Sequence, residues 1–577
     1  MSHAVSATPQ PPVRRLPLSG VLRVNRPSDI WFKPATSVAV AAALVLVPLL
    51  IAGRTDLAMY AMSGAFCALY GHQLPYKARV RASVWCVIGM TAGMAVALVC
   101  ASLIDSVPAL IAIAAVLAGV QKAVCDATRI GPPGHVILVF VVAGSLFAPQ
   151  ALHEVPFHVT LTFVGGVVGA FVALAPALVR REGPERRTTA RALEAAAGYL
   201  ATEDGPKRRR ARHAAAAAVQ GAWQALLAAG ERTETRRTLE HLVLHAEAAL
   251  VGTPRAGDLD QLRTWAHQVR GRGALPEVAL PDGAGDELLG IETEREGLRK
   301  QGRERLVRML LKPGSPVLPI AVRCAVGCAA AGYVGLALGV GHPYWAIVSA
   351  SAIYQANVTL TWHRVLQRLL GNVLGVVVFA ALVPLARTSV VVLAVLCIVL
   401  SFCNEMLISR NYWLGSVSVT PMALLITEFA HVRPVTELVT DRVLDTLAGV
   451  VVGMAVAILI TNRRTGGRME QALAATERAT SGADRVLAAP TGSATELAVA
   501  RRGLTTSLVE LRDAADTAAG EWWQRALPEE RLLRTEQRAH RTLAATVRRQ
   551  GLVRDADEGT DPGTDGLLVA AADRVAR

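Results

Sequence analysis

Cysteine is missing from two long stretches of the sequence, residues 180–312 and 462–577. Structural disulfides are therefore not expected there. Cys324 and Cys328 would share a helix face, but a metal site needs further ligands nearby, so packing is favoured over metal binding. All eight cysteines lie in or beside apolar segments: Cys67, Cys86, Cys100, Cys125, Cys324, Cys328, Cys397 and Cys403.

Sequence signatures of enzymes and of secreted proteins are also missing. The chain has no zinc-finger pattern, phosphate-binding loop, nucleophile elbow or cofactor fingerprint. The N-terminal thirty or so residues lack the apolar core and small-residue cleavage site of a signal peptide, and residues 1–33 are predicted to form a cytoplasmic tail. We therefore predict neither an enzyme nor a cofactor.

Apolar residues, in contrast, are abundant and unevenly distributed. They make up 52% of the 577 residues, and the mean hydropathy is +0.37. Apolar runs crowd residues 34–179 and 315–461, whereas 180–312 and 462–577 are rich in Arg, Glu, Asp and Ala. The order along the chain is therefore membrane, polar, membrane, polar.

Each apolar region has room for six membrane-spanning helices of about 20 residues. The first six are predicted at 34–52, 56–71, 82–104, 107–125, 134–149 and 155–179, and the second six at 315–340, 342–359, 365–386, 388–408, 411–430 and 437–461. The second and fifth are short, so a tilted, re-entrant or broken helix is an alternative there. Amphipathic patterns in the polar stretches predict helices too. The fold class is all-α: a polytopic membrane protein with two parallel six-helix repeats, each followed by a helical cytoplasmic domain.

The net charge of +14 is explained by membrane topology. Basic residues mark cytoplasmic connections, and Lys77, Arg79 and Arg81 follow the second predicted span. Arg364 and Arg410 occupy the corresponding connections of the second half. The N-terminus, central domain and C-terminus are therefore predicted to be cytoplasmic in the plasma membrane. Contacts with anionic lipids are favoured over nucleic-acid binding.

The two membrane regions match each other at an offset of about 282 to 284 residues, which predicts an internal duplication. Because each half has an even number of spans, the two would be parallel repeats. Small residues one helical turn apart allow helices in lipid to approach closely. These packing candidates are Gly89, Gly93, Gly165, Gly169, Gly371, Gly375, Gly449 and Gly453.

Few charged residues lie deep within the predicted spans, and each is a candidate for the transport pathway. Arg323 could meet either a substrate carboxylate or a carboxylate from another helix. Arg442 and Asp445 share one helix face, and either a local ion pair or a proton-linked switch would explain them. Arg364 and Arg368 form a cationic pair that could collect anions or could simply set topology.

Aromatic residues near the predicted span ends include Trp345. An anchor in the membrane interface is favoured, although a ring lining a pocket would suit an aromatic substrate.

The second half resembles the fusaric acid resistance family, which includes aromatic acid exporters and is similar to plant aluminium-activated malate transporters. The motifs that carry the resemblance are Arg323, His342-Pro343-Tyr344-Trp345-Ala346, Thr361-Trp362-His363-Arg364, Arg368-Leu369-Leu370-Gly371 with Gly375, Asn411-Tyr412 with Thr420, and Arg442-x-x-Asp445 with Gly449. The first half departs from them: His158 takes the place of Arg442, Leu161 of Asp445 and Cys86 of Arg368.

The resemblance implies export of organic anions, often aromatic carboxylates, and a role in resistance. Proton-coupled secondary transport, a passive anion channel and a non-transporting scaffold with partner-binding helical domains are the three hypotheses. A homo-oligomer is left open. The site is predicted around Arg323, Arg364, Arg368, Arg442, Asp445 and Trp345.

Overall fold

The computed structural model describes residues 17–549 except 19, 129, 204, 231–232, 251–256, 272, 279–314, 316, 430–431, 461–464, 490–493 and 521–528. Every regular element in these ranges is helical, so the all-α fold class is confirmed for them. The tail 1–16 and much of the segment between the two membrane regions lie outside the described residues.

Eight apolar helical segments are long enough to cross a membrane. In the first membrane half (residues 32–178) they are helices α1, Phe32–Ile51; α3, Tyr76–Leu103; α4, Val107–Thr128; and the segment Leu152–Leu178, which contains α6, Val155–Leu174. In the second membrane half (residues 318–459) they are α11, Leu318–Ala337; α13, Val358–Ala386; α14, Val390–Ile408; and α16, Val435–Leu459.

Four further apolar helices are shorter than a membrane is thick. They are α2, Ala58–Ala65, which continues as a 3₁₀ turn to Leu69; α5, Val136–Leu146; α12, Tyr344–Ile353; and α15, Tyr412–Thr427. Short second and fifth helices were predicted for the first half only. In the second half, full-length spans were predicted at 342–359 and 411–430, and these lengths were wrong. The reason is local: α12 ends where Tyr354 becomes extended, and α15 ends at Thr427, before the predicted end of the span.

The described residues form two compact units. The first contains both membrane halves, as Met1–Gly183, Gln301–Arg468 and Ala515–Leu527. The second combines parts of both polar stretches, as Pro184–Lys300, Met469–Ala514 and Pro528–Arg577. These boundaries follow from contacts, whereas the predicted ones followed from hydropathy.

Within the membrane unit, each half uses the same helix pairs. Helix α6 packs on α2 and α3 in the first half, and α16 packs on α12 and α13 in the second. Between the halves, α4 packs on α11 and α1 packs on α14. Small residues permit the first of these contacts, because a Cβ placed on Gly119 would lie 2.9 Å from the Ala325 methyl. The arrangement is the one a duplication would give, although the duplication itself stays a prediction.

Arg79, which the sequence suggested was a topology charge, is fully buried at the start of α3. Its Nε donates to the Gly71 carbonyl at 2.8 Å. Its two terminal nitrogens donate to the carbonyls of Ala173, His72 and Leu74 at 2.8–3.1 Å. The side chain therefore ties the end of α2 and the end of α6 to α3, and it satisfies carbonyls that would otherwise be buried without donors.

Replacing Arg79 with alanine is expected to lower the melting temperature of the detergent-purified protein by several degrees, because four buried carbonyls lose their donor. Arg81→Ala is the matched control, since Arg81 is exposed two residues further along the same helix. Equal melting temperatures for the two variants would contradict a structural role for Arg79.

Seven helices lie wholly or mainly in the described part of the second unit. They are α7, Gly183–Leu200; α8, Gly205–Ala228; α9, Glu234–Ala249; α10, Asp258–Arg270; α17, Thr465–Ala488; α18, Ala494–Ala519; and α19, Glu529–Arg549. A buried ionic contact joins the two polar stretches at Glu247, where Arg501 Nε lies 3.4 Å from Oε1. Trp223 Nε1 donates to the other oxygen of Glu247 at 3.2 Å.

This second unit should lose stability in acid through His540. Burial, together with nearby Arg212, lowers the pKa of His540 to about 3. The unfolded chain protonates this histidine near pH 6.5, so only the unfolded state gains the proton as the pH falls from about 6.5 towards 3. We expect His540→Gln to flatten the fall in melting temperature between pH 7 and pH 4.5. An unchanged slope in the variant would show that other groups cause it.

Candidate functional site

Five of the six predicted pathway residues meet in the second membrane half. Helix α13 supplies Arg364 and Arg368, α16 supplies Arg442 and Asp445, and α12 supplies Trp345. These helices can approach closely because glycines on α13 and α16 face the neighbouring helices. A Cβ on Gly371 would overlap the Ser416 Cβ of α15, and one on Gly449 would lie 2.6 Å from the Ala346 carbonyl oxygen of α12.

Arg442 lies deep in the protein with 2% of its surface exposed. Its guanidinium carbon sits 4.0 Å from the centre of the Trp345 ring, as in a cation–π contact. Nη2 donates to Asn372 Oδ1 at 3.2 Å, whereas Nε and Nη1 have no hydrogen-bond partner among the described residues. Trp345 is itself 4% exposed, so the favoured interpretation of this ring as an interfacial anchor was wrong.

Arg364 and Arg368 both contact Tyr412 at the start of α15. The Arg364 guanidinium stacks 3.9 Å from the centre of the tyrosine ring. Arg368 Nη1 donates to the tyrosine hydroxyl at 3.1 Å. Arg368 is 4% exposed, and its Nε has no partner in the described part of the chain. The pair is therefore held by an aromatic side chain, and no described carboxylate lies within salt-bridge distance of either arginine.

Asp445 is completely buried. Neither carboxylate oxygen has a hydrogen-bond partner among the described residues, and no ion pair within 4.0 Å joins Asp445 to Arg442 there. The local ion pair suggested by their spacing is therefore not formed. Oδ1 faces α11, where it lies 3.4 Å from the position of a Cβ on Gly335.

We call Arg368, Asn372, Tyr412, Arg442 and Asp445 the polar cluster. Two arginines and one aspartate give its buried charges a sum of +1. Two other acids of the second membrane half have partners of their own: Glu428 pairs with Arg387 at 2.8 Å, and Asp441 pairs with His342 at 3.0 Å. A net positive charge in an apolar, low-dielectric environment attracts an anion strongly.

Arg323 is the predicted residue that the fold keeps away from this cluster. It is 1% exposed, and its Nε donates to the Ile460 carbonyl at 2.9 Å. Ile460 follows the end of α16, whereas Arg442 lies near the start of that helix. At 1.5 Å per residue the two positions are roughly 27 Å apart. Arg323 therefore holds the other end of α16.

Two side chains of the polar cluster were not chosen from the sequence. Tyr412 was named among the residues that carry the family resemblance, and Asn372 was not singled out. A usable signal was present, because Asn372 follows Arg368 by one helical turn on the face lined by small residues.

Most of the glycines predicted to pack helices together face a neighbouring segment of the protein. A Cβ on Gly93, Gly165, Gly169, Gly371, Gly375, Gly449 or Gly453 would come within 3.0 Å of another atom. The prediction was wrong for Gly89, because nothing described lies within 4 Å of its Cβ position. The reason is that Gly89 is exposed, so the contact that Gly93 makes with Val142 does not extend one turn back along α3.

The first half carries a related but different arrangement. His158 stacks on Tyr60 with the ring centres 3.9 Å apart. Gln150 Oε1 lies 3.0 Å from His158 Nδ1 and accepts from the Tyr60 hydroxyl at 3.2 Å. Thus an imidazole and an aromatic ring pair where the second half pairs Arg442 with Trp345. The polar side chains of Tyr60, Gln150 and His158 form hydrogen bonds with one another, whereas several polar atoms of the polar cluster have no described partner.

A segment near the N-terminus lies beside the polar cluster. The Asn411 side-chain amide donates to the carbonyls of Val21 and Arg23 at 3.1 and 2.9 Å. Gln367 of α13 also donates to the Val21 carbonyl, at 2.8 Å. Val21 is 3% exposed. We call residues 20–25 the N-terminal strap; it covers the end of α13 that carries Arg364 and the start of α15 that carries Tyr412.

The sequence is similar to one protein family and to one membrane protein. Residues 329–456 match the profile of a family described as fusaric acid resistance protein-like. The chain is also 26% identical over 507 residues to an uncharacterized membrane protein, YvaC, of Bacillus subtilis (strain 168), covering 82% of this chain and 78% of that protein. No solved structure matches. The matched region contains Arg364, Arg368, Arg442 and Asp445, and together the matches support a multi-pass membrane protein related to that family.

Proposed function

We propose that this fusaric acid resistance-like membrane protein is a secondary transporter that exports organic anions, with aromatic carboxylates as the favoured substrates. One observation carries the proposal: Arg368 and Arg442 are buried in the second membrane half with guanidinium N–H groups that no described residue accepts. Unpartnered charges of this kind are costly in a membrane and mark an ion or substrate path. Organic anions are also the substrates that the family resemblance implies.

Direction of transport follows from the topology that we propose. The N-terminal strap contacts Asn411 and Gln367, at the connections that carry Arg410 and Arg364. This contact supports one common side for the N-terminus and those basic connections. By the positive-inside rule that side is the cytoplasm of the plasma membrane. The arginines of α13 would then lie nearest the cytoplasmic entrance, where they collect substrate.

We propose that the two membrane halves are parallel repeats with different functional roles. The first half supplies the matching helix pairs that support the second, and its His158 pairs with Gln150 and Tyr60. Among the described residues, only the second half combines buried arginines with a buried carboxylate. The transport chemistry therefore belongs to the second half, and the polar helical unit is proposed to be cytoplasmic.

Asp445 favours a coupled transporter over a channel. A pathway that only conducts anions gains nothing from a buried carboxylate, which repels them. A group that takes up and releases a proton during the cycle explains its place beside Arg442. The net positive charge of the cluster, in contrast, would suit a passive anion channel equally well, so the channel is the alternative.

The experiment is efflux of radiolabelled benzoate from proteoliposomes that contain the full-length protein, with protein-free vesicles as the control. Slow flux that saturates with benzoate concentration is expected. Planar-bilayer recording separates the alternatives, since sustained ohmic current would identify a channel. Absence of both flux and current for a panel of aromatic carboxylates would overturn the proposal.

A further inference from the structure

A single amide in the polar cluster points to how the substrate is held. Resting on the proposed function, we infer that Asn372 donates an N–H bond directly to the substrate carboxylate, alongside Arg368 and Arg442, and that the site takes one carboxylate at a time. Asn372 lies on α13, one turn after Arg368, with 2% of its surface exposed.

The orientation of the amide is fixed by its neighbours. Arginine can only donate hydrogen bonds, so the atom that faces Arg442 Nη2 at 3.2 Å must be the amide oxygen. The Thr420 hydroxyl donates to the same oxygen. With two donors on Oδ1, the amide nitrogen must point the other way. Nδ2 is buried there without an acceptor among the described residues.

The groups left over in the cluster are complementary to a carboxylate. Three side chains present buried N–H groups that no described residue accepts: Asn372 through Nδ2, Arg368 through Nε, and Arg442 through Nε and Nη1. A carboxylate offers about four acceptor sites on two oxygens. Charged hydrogen bonds of this kind are stronger than neutral ones, so a carboxylate would satisfy donors that are otherwise costly to bury.

The charge of the cluster limits how many carboxylates bind. Arg368 and Arg442 contribute two positive charges and Asp445 one negative charge, so one carboxylate makes the buried set neutral. A second would leave an excess negative charge in an apolar environment, which is costly. One face of the Arg442 guanidinium is also covered by Trp345. Aromatic monocarboxylates therefore fit the site better than dicarboxylates.

Asn372→Asp is the sharpest test, because it keeps the size of the side chain and the oxygen that Arg442 and Thr420 use. The only changes are the loss of the amide N–H donor and the gain of a negative charge. Benzoate binding to the detergent-purified full-length protein would be measured by equilibrium dialysis. We expect the affinity of Asn372→Asp to fall by about 100-fold or more, since like charges repel strongly in a buried site. Gln121→Glu, which adds an acid to the first membrane half, should bind benzoate as the wild type does.

Asn372→Ser is the variant to measure if Asn372→Asp does not purify as a single species. It loses the amide donor without adding charge, and about a 10-fold loss of affinity is expected. Wild-type affinity in either variant would overturn the inference while leaving the proposed function intact. Preference for phthalate over benzoate in the wild type would overturn the single-carboxylate assignment. A wild-type protein that binds no aromatic carboxylate would overturn the proposed function itself.

Discussion

Arg442→Gln is expected to reduce benzoate efflux from proteoliposomes by about 100-fold or more. Truncating one member of a buried set of charges typically costs several kcal/mol, because the remaining groups stay desolvated. In this protein Asp445 would be left in the cluster with only Arg368 to offset it. The Trp345 face and the Asn372 oxygen would lose their partner as well. Initial efflux rates at saturating internal benzoate measure the effect.

Two variants separate lost binding from lost folding. Arg387→Gln removes an arginine from the same membrane half, but that side chain is about one-third exposed and pairs with Glu428. Its efflux should stay near wild type. The double variant Arg442→Gln with Asp445→Asn restores the wild-type net charge of the buried set and should purify as stably as the wild type, yet remain inactive. Recovery of efflux in the double variant would mean that Arg442 serves charge balance alone.

Asp445→Asn is expected to uncouple flux from the pH gradient. A carboxylate that leaves in exchange for an incoming proton binds while Asp445 is ionised, which is the state in which one carboxylate makes the buried set neutral. Wild-type efflux should therefore be several-fold faster when the compartment opposite the benzoate is the more acidic one. In Asp445→Asn, which cannot take up the proton, rates under the two gradient directions should be equal.

Asp441→Asn is the matched control for this measurement. It removes a carboxylate one turn away on the same helix, but one that is partly exposed and paired with His342. Dependence on the gradient should survive in Asp441→Asn. Wild-type flux that ignores the gradient in both directions would exclude proton coupling and favour the channel.

The sequence predicted the class of fold well, because apolar runs and amphipathic patterns depend only on local composition. It failed on the length of α12 and α15. There the apolar run continues past the helix, because residues around Tyr354 are buried whether or not they are helical. Hydropathy reports burial, and in a membrane protein burial against other helices resembles burial in lipid.

For the site, the sequence identified the charged residues but not what holds them. Arg368, Arg442 and Asp445 stand out because ions are rare in apolar helices. Asn372 and Tyr412 do not stand out, since uncharged polar side chains are common at helix contacts. Arg79 illustrates the converse error: its charge suggested a loop, whereas the side chain is buried against four carbonyls, one of them on α6 far along the chain. Such partners are defined only once the helices have packed.

The N-terminal strap has a consequence for how the protein is made. Val21 leaves the ribosome 390 residues before Asn411, the side chain that holds it. Throughout synthesis of the first membrane half the strap has no binding partner. It can dock only after α13 and α15 have been inserted and have met. Docking of the strap is therefore a late event in biogenesis, and protection of residues 20–25 from protease would report that the second half has assembled.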